Sequence, residues 1–408
     1  MKPGARILIV TNGQLSRNPR PLKEAETLGK AGYDVTVLMV RNHAEGERRD
    51  REIMDGAPFR RETVDAASGL GTASWRILSR RLCQRVAQQL GSITGRGSIH
   101  ALGPAGALLR RARFLTADLT IVHNEVPQWV GARLLTEGRR VSADFEDWHS
   151  EDLLPERRRG RPLALLRTVE RTLLHGAVWT TTTSEALAAA LHSRHGGIRP
   201  QVITNSFPLQ PDPRRGPPGD PPAFFWFSQT LGPGRGLEAF LEAWTRTLQP
   251  SSLVLLGDSD GDFRERLLGS MPAQKRHAVA FLPTVRPAEL PALIARHDIG
   301  LALEQSSIAS RNLTITNKIL QYLNAGLAVV ASDTAGQREV LGRASGAGVA
   351  VSLDDGGALA RVLDSLLADR TALARRQAAA RRAAEETYCW EREAPRLLSL
   401  VERSHVCD

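Results

Sequence analysis

Thr314-Ile-Thr-Asn-Lys-Ile-Leu-Gln-Tyr-Leu-Asn-Ala-Gly-Leu-Ala-Val-Val-Ala-Ser332 decides how this chain is read. It predicts a loop, a short helix, a glycine stop and a buried strand. Thr316 is placed to cap a helix beginning near Asn317, because a threonine hydroxyl accepts an orphan backbone N–H. Ile319, Leu320, Leu323 and Ala325 give that helix an apolar stripe. Gly326 stands where a helix ends with positive φ. Leu327 to Ala331 is an unbroken apolar run, as in a strand covered on both faces. The helix start is positive through its dipole and free N–H groups, and Lys318 adds a full charge there. Asn317 and Lys318 share neighbouring faces with Gln321. Such a cluster suits a diphosphate and a ribose; a solvated lysine on an ordinary βα unit is the bland alternative. Only five of the 54 basic residues are lysine, so Lys318 stands out in an arginine-dominated chain.

Outward from this stretch the same grammar repeats. Ile7 to Val10 is a strand, followed by a polar loop with Asn12 and Gly13, a helix from about Pro21 to Lys30, and the strand Val35 to Val40. This is the βαβ unit of an open parallel sheet. No Gly-x-Gly-x-x-Gly follows the first strand, so a dinucleotide fingerprint is absent. Residues 41 to 70 are charged and poorly patterned. Residues 73 to 113 carry Arg76, Arg80, Arg81 and Arg85, then Arg110, Arg111 and Arg113. Trp75, Ile77, Leu78, Leu82, Val86 and Leu90 recur between them at roughly helical spacing. A basic amphipathic helix lies on an anionic membrane, or else its arginine stems cover apolar protein surface. Both readings stay open, and residues 156 to 171 raise the same question.

His123 falls at the carboxyl end of the strand in Ala117 to Glu125, where open α/β sheets place ligands. Packing of a strand-end histidine is the alternative. Asp144, Glu146, Asp147, His149, Glu151 and Asp152 crowd a second strand end. They suggest hydroxyl recognition or a general base; an acid-rich helix start explains them equally. Metal binding lacks a tight ligand spacing there. Val178 to Ser184 is β-rich, Glu185 to His192 is helical, and Gln201 to Asn205 is a short strand.

Residues 208 to 222 contain seven prolines and two glycines, a linker by composition. The order then restarts. Phe224 to Phe227 is a strand, Gly232-Pro-Gly-Arg-Gly236 is a glycine-rich loop, and Leu237 to Thr247 is a helix. The loop N–H groups and Arg235 can cradle phosphates. Ser252 to Leu256, Ala278 to Leu282 and Ile299 to Leu303 are further strands, with a helix from Pro287 to Ala295. Gly357 to Thr387 reads as one helical stretch. Trp390 to Arg403 reads as a last amphipathic segment, broken or restarted at Pro395.

The chain length of 408 residues favours two domains. The net charge of +10 and pI near 10.3 admit nucleic acid, an anionic membrane or a polyanionic small molecule as partner. No aromatic-rich basic motif supports nucleic acid. Cys83, Cys389 and Cys407 form neither a disulfide framework nor a zinc pattern, which fits a reducing, cytoplasmic compartment. No signal-peptide pattern and no run long enough to span a bilayer is present.

Ile7-Leu-Ile-Val-Thr-Asn-Gly, Arg20-Pro-Leu-Lys-Glu-Ala, Thr180-Thr-Thr-Thr-Ser-Glu, Gly232-Pro-Gly-Arg-Gly-Leu-Glu, Asp298-Ile-Gly-Leu-Ala-Leu and Asn317-Lys-Ile-Leu-Gln-Tyr-Leu-Asn-Ala-Gly resemble, in order and spacing, a GT-B glycosyltransferase of family 4. The resemblance implies an α/β chain of two Rossmann-like domains whose parallel sheets face each other across a cleft. It implies an acceptor domain over residues 1–207, the linker 208–222, a nucleotide-sugar domain over 223–387, and a segment 388–408 crossing back. Gly234, Arg235, Gly236, Asn317 and Lys318 would hold the donor diphosphate. Gln321 would meet the ribose, and Leu282, Pro283 and Thr284 the base. Asn12 and Gly13 would line the N-terminal side of the cleft, and His123 and Asp147 would meet the sugar or acceptor. Leu313 and Gln321 stand where the family has a glutamate pair, and Ser228-Gln229 where it has Gly-Arg. Asp258-Ser-Asp260 resembles a metal motif of the other glycosyltransferase fold, but its place after a strand favours a turn. No metal or other cofactor is required; the nucleotide sugar is a substrate, with UDP- and GDP-sugars both open. The acceptor would be a sugar, a lipid-linked or a small-molecule hydroxyl, the anomeric configuration would be retained, and the protein would sit in the cytoplasm or on the inner membrane face. A nucleotide-sugar 2-epimerase and a non-catalytic binding protein are the alternatives.

Overall fold

The computed structural model describes residues 1–66, 74–95, 97–154, 158, 160–211, 220–259 and 261–404. Two compact units result: Met1–Ile203 with Ala394–Asp408, and Thr204–Glu393.

In the first unit the chain runs β1 (Arg6–Thr11), α1 (Pro19–Lys30), β2 (Asp34–Arg41), α2 (Ala44–Met54), β3 (Arg60–Asp65), α3 (Ser74–Thr94), α4 (Ala105–Phe114), β4 (Leu119–His123), α5 (Glu125–Thr136), β5 (Val141–Phe145), α6 (Leu163–Gly176), β6 (Thr180–Thr182), α7 (Glu185–His195) and β7 (Gln201–Val202). The strands form a parallel sheet in the order β3-β2-β1-β4-β5-β6-β7. Residues 41 to 65, poorly patterned in sequence, hold α2 and β3. β3 is an edge strand of sequence Arg-Arg-Glu-Thr-Val-Asp, polar because only one side of it is covered.

The second unit runs β8 (Ala223–Leu231), α8 (Leu237–Thr245), β9 (Ser252–Ser259), α9 (Gly261–Gly269), α10 (Ala273–Arg276), β10 (Val279–Leu282), α11 (Leu290–Ile294), β11 (Ile299–Ala302), α12 (Ala309–Leu313), α13 (Asn317–Ala325), β12 (Ala328–Ser332), α14 (Ala335–Arg343), β13 (Gly348–Val351), α15 (Gly356–Ala368) and α16 (Arg370–Glu386). Its parallel sheet has the order β10-β9-β8-β11-β12-β13. β8 shows why its strands are apolar throughout. Phe224 and Trp226 enter one core with Phe240, Trp244 and Leu363, while Phe225 enters the other with Ile319, Tyr322 and Ala380.

The helical stretch expected from 357 to 387 is two helices, because Asp369 caps the second by accepting from the Ala372 N–H at 2.8 Å. The last helix, α17 (Trp390–Arg403), is not broken at Pro395. The proline lies in its first two turns, where a single missing N–H interrupts little. From Ala394 the chain belongs to the first unit, where the Trp179 indole donates to the Ser404 hydroxyl at 3.0 Å. Asp258 is part of β9 rather than a turn; Asp260 lies outside the described residues.

Gly300 on β11 faces the buried Tyr322 ring, and a Cβ there would sit 2.2 Å from Tyr322 Cγ. Gly300→Ala is expected to destabilise the protein by about 3 kcal/mol, as overpacking does. Gly269→Ala, with open space around it, should change stability by less than about 0.5 kcal/mol. Urea midpoints of the two variants check this.

Candidate functional site

In the second sheet the strand order reverses between β8 and β11. Open α/β sheets bind ligands beyond the carboxyl ends of their strands at such a reversal. The loop after β8 carries Gly234 and Gly236 at φ +75° and +77°. At Gly236 a Cβ would also meet Leu353 and Leu303 at 2.8 and 2.9 Å, so only glycine fits. The turn places the backbone at the start of α8 and holds Arg235 half-buried, with its Nη1 donating to the Ser228 hydroxyl at 2.7 Å. Ser228, found where the resembled family has glycine, therefore orients the neighbouring cation. Among the described residues no carboxylate pairs with Arg235.

The loop after β11 carries Glu304, which sequence reading missed. Its Oε1 lies 2.8 Å from Lys318 Nζ, and both side chains are 13% exposed. The same ammonium sits 5.5 Å from the Trp226 ring centroid on β8, in cation–π range. Lys318 is thus not a solvated lysine; it is held at the reversal between two strand ends. Asn317 and Gln321 are half-buried on the same helix. Thr316 does not cap α13: it has extended backbone but makes no capping bond, and its hydroxyl is buried without a partner. Leu282 ends β10 and Pro283 and Thr284 follow it, two strands from β8, or about 10 Å at ordinary strand spacing. Asp258 fixes that loop by accepting from the Thr284 N–H and hydroxyl at 3.3 and 3.1 Å.

The first sheet reverses between β1 and β4. Asn12 and Gly13 follow β1, and His123 ends β4. Next to His123, Asn124 adopts φ 65° and ψ 169°, a conformation almost confined to glycine that costs about 1–3 kcal/mol. Its Oδ1 accepts from the Thr11 hydroxyl at 3.1 Å and the Asn12 N–H at 3.3 Å, so it anchors the Asn12–Gly13 loop. Nothing in the sequence announces that backbone.

His123 is fully buried. Its Nε2 lies 3.0 Å from Glu24, and its Nδ1 lies 3.2 Å from Asp144 and 3.6 Å from Glu146. Arg20, also fully buried, grips both Asp144 oxygens at 2.6 and 2.7 Å, and Thr181 donates to one of them at 2.6 Å. Burial opposes charge on His123, but the facing carboxylates outweigh it and hold its pKa well above the usual value. Burial would raise the Asp144 pKa, yet Arg20 and His123 hold it far below the carboxylate range. Glu24, His123 and Asp144 are close enough to be considered as metal ligands. Arg20 already grips both Asp144 oxygens, however, and both His123 ring nitrogens face carboxylates, so the set is a closed ion network. His123 therefore does not present a ring nitrogen to a ligand here. Asp147 is half-buried in the turn after β5. The other acids of that stretch disperse: Glu151 pairs with Arg158 and Arg167 at 2.7 and 2.9 Å.

Residues 222–369 match the family described as Glycosyl transferases group 1. That segment is a group 1 glycosyl transferase domain. Lys318, Arg235 and their loops all lie within it. No curated protein sequence matches the chain. Among solved structures, HepE from Anabaena in complex with UDP and glucose aligns with TM-score 0.70 at 16% identity, covering 98% of this chain and 99% of that one. Sucrose-phosphate synthase from Thermosynechococcus elongatus aligns with TM-score 0.71 at 15% identity, covering 99% and 100%. A putative UDP-N-acetylglucosamine 2-epimerase from Listeria monocytogenes aligns with TM-score 0.61 at 13% identity, covering 100% and 97%. The group 1 domain and the preceding parallel-sheet unit together form the GT-B fold.

Removing one partner from the buried network is expected to cost about 3–5 kcal/mol, whether by Asp144→Asn or His123→Gln. The pH dependence follows from the shifts. His123, with a raised pKa, stabilises fully below its ordinary 6.5 and loses that contribution as pH rises through its folded value. Asp144, with a depressed pKa, stabilises fully above its ordinary 3.8 and loses it as pH falls through its folded value. The stability difference between the parent and His123→Gln, followed by urea unfolding from about pH 6 upward, should shrink; a constant difference would contradict a charged His123.

Proposed function

We propose that the protein transfers a glycosyl group from a nucleoside diphosphate sugar to an acceptor hydroxyl. The observation that carries this reading is the placement of Lys318, at the start of α13, and Arg235, in the loop after β8, at the strand-order reversal of a group 1 domain. Uridine is the base to test first, since HepE of the same fold holds UDP-glucose. In this reading the Gly234–Gly236 backbone, Arg235, Asn317 and Lys318 take the diphosphate, Gln321 the ribose, and the loop Leu282–Thr284 the base. An arriving phosphate replaces Glu304 as the partner of Lys318.

The chemistry asks for little beyond charge. The bond from the anomeric carbon to the diphosphate oxygen breaks, and its electron pair leaves with the phosphate. The acceptor oxygen bonds to that carbon and passes its proton to the departing phosphate oxygen, with the anomeric configuration retained. Lys318, Arg235 and the N-terminal N–H groups of α13 meet the growing negative charge, the task a metal ion performs in other transferases. His123, enclosed by carboxylates, serves by tying the end of β4 to α1 and β5. Asp147 is the candidate for contact with the acceptor. Free thiols at Cys83 and Cys389 fit a reducing, cytoplasmic setting. Epimerisation of the same class of donor is the second reading, on the likeness to the Listeria structure; it leaves a free nucleotide sugar rather than a glycoside as product.

The test is thermal unfolding with UDP-, GDP-, ADP- and dTDP-sugars. One nucleotide at a hundred times its dissociation constant should stabilise the parent by about 2.7 kcal/mol. Lys318→Ala and Arg235→Ala should each lose most of this. A flat response in the parent, with no product from any donor, would contradict the reading.

A further inference from the structure

Helix α3 is packed with its polarity reversed. Its inward face is made by the buried Ile77 and Gly91 and the half-buried Arg80, Gln84 and Ala87, at spacings of three and four that share one side of a helix. The Gln84 and Gln88 amides donate to the Ala101 carbonyl at 3.3 and 3.0 Å, and a Cβ at Gly91 would sit 2.8 Å from the Gly160 carbonyl oxygen. The opposite face carries Trp75, Leu78, Leu82, Val86, Leu90 and Ile93, exposed by 65, 63, 64, 43, 55 and 79%. A surface helix packed for water alone does the opposite. The stripe runs about 27 Å along the axis at ordinary helical rise. A continuous apolar surface of that length marks a contact site on a folded protein.

Charge decides what contacts it. α3 contains four arginines and no aspartate or glutamate. Arg81 and Arg85 are exposed along one flank of the stripe. A second copy of the chain would set like charges against each other at the apolar contact. An anionic bilayer supplies both needs: an acyl boundary for the stripe and phosphates for the arginines. The protein as a whole carries +10, which draws it toward such a surface. α3 cannot span the bilayer; no described helix is long and apolar enough to do so. The other basic stretch considered from sequence, 156–171, lies partly outside the described residues; its helical part, in α6, does not share this property, because α6 turns Leu166, Val169, Leu173 and Leu174 inward.

We propose that α3 docks the first unit on an anionic phospholipid surface, lying in the interface with Leu78, Leu82 and Val86 among the acyl chains. This goes beyond the donor reading and does not depend on it.

The experiment is flotation of the full chain with vesicles of phosphatidylcholine alone or with phosphatidylglycerol added. The parent should float with the anionic vesicles only, and less in high salt. Leu82→Gln/Val86→Gln should lower partitioning about thirtyfold or more. Arg81→Glu/Arg85→Glu should lower it at least about tenfold. Both variants alter exposed side chains, so unchanged melting temperatures exclude misfolding as the cause. A UDP-dependent shift kept in both variants separates the two sites; its absence in every form, with flotation as described, removes the donor reading and leaves the docking face. Failure of the parent to float, or equal flotation of parent and variants, overturns the proposal. So does a dimer that does not float and is dissolved by Leu82→Gln/Val86→Gln, which makes the stripe a contact between copies.

Discussion

Each sheet is parallel throughout, so all of its strands end on one edge. Every loop that follows a strand is gathered there, and every helix that follows such a loop starts there. That single constraint brings together residues far apart in sequence. In the second unit it sets Arg235 after β8, Glu304 after β11 and Lys318 at the start of α13 around one strand-order reversal. In the first it sets Asn12 and Gly13 after β1 beside Asn124 and His123 after β4. Burial of the sheets on both faces makes the arrangement rigid, because strands like Phe224–Phe227 are locked into two cores at once.

Both reversals concentrate charge, in different ways. In the first unit Arg20, Glu24, His123 and Asp144 neutralise one another in the interior. Such a network carries a large penalty if one member is removed, and it ties the ends of β4 and β5 to α1. In the second unit the charges are incompletely matched. Lys318 has Glu304, whereas Arg235 is held by a neutral hydroxyl and the N-terminal N–H groups of α13 lack a side-chain cap from Thr316. An anion fits that imbalance. Chemistry that builds negative charge on a leaving diphosphate needs just such fixed positive groups, already oriented before the substrate arrives.

The architecture was legible in the sequence where burial is complete. Ile7–Val10 and Leu327–Ala331 show strands covered on both faces, and Gly326 ends its helix at φ 63° as a left-handed stop must. The loops of the second reversal were legible because glycine and lysine at strand–helix junctions have few other uses. α2 and β3 were not, since a polar edge strand has no apolar period to show. The ion network was hidden for a different reason. Arg20, His123 and Asp144 lie more than a hundred residues apart or on separate strands, so His123 at a strand end looked available when three carboxylates enclose it. The strain at Asn124 and the pairing of Glu304 with Lys318 are tertiary facts with no local signal. α3 was recognised as basic and amphipathic, but which face it buries is set by tertiary contacts such as those of Gln84 and Gln88 with Ala101 and of Gly91 with Gly160.

The most direct test of the account is a crystal structure of the protein with UDP. It should show the diphosphate against the Gly234–Gly236 backbone, with Arg235 and Lys318 both in hydrogen-bond contact and Glu304 released from the lysine. A nucleotide bound elsewhere, or one seated there while Lys318 keeps its pairing with Glu304 and leaves the phosphates uncontacted, would contradict it.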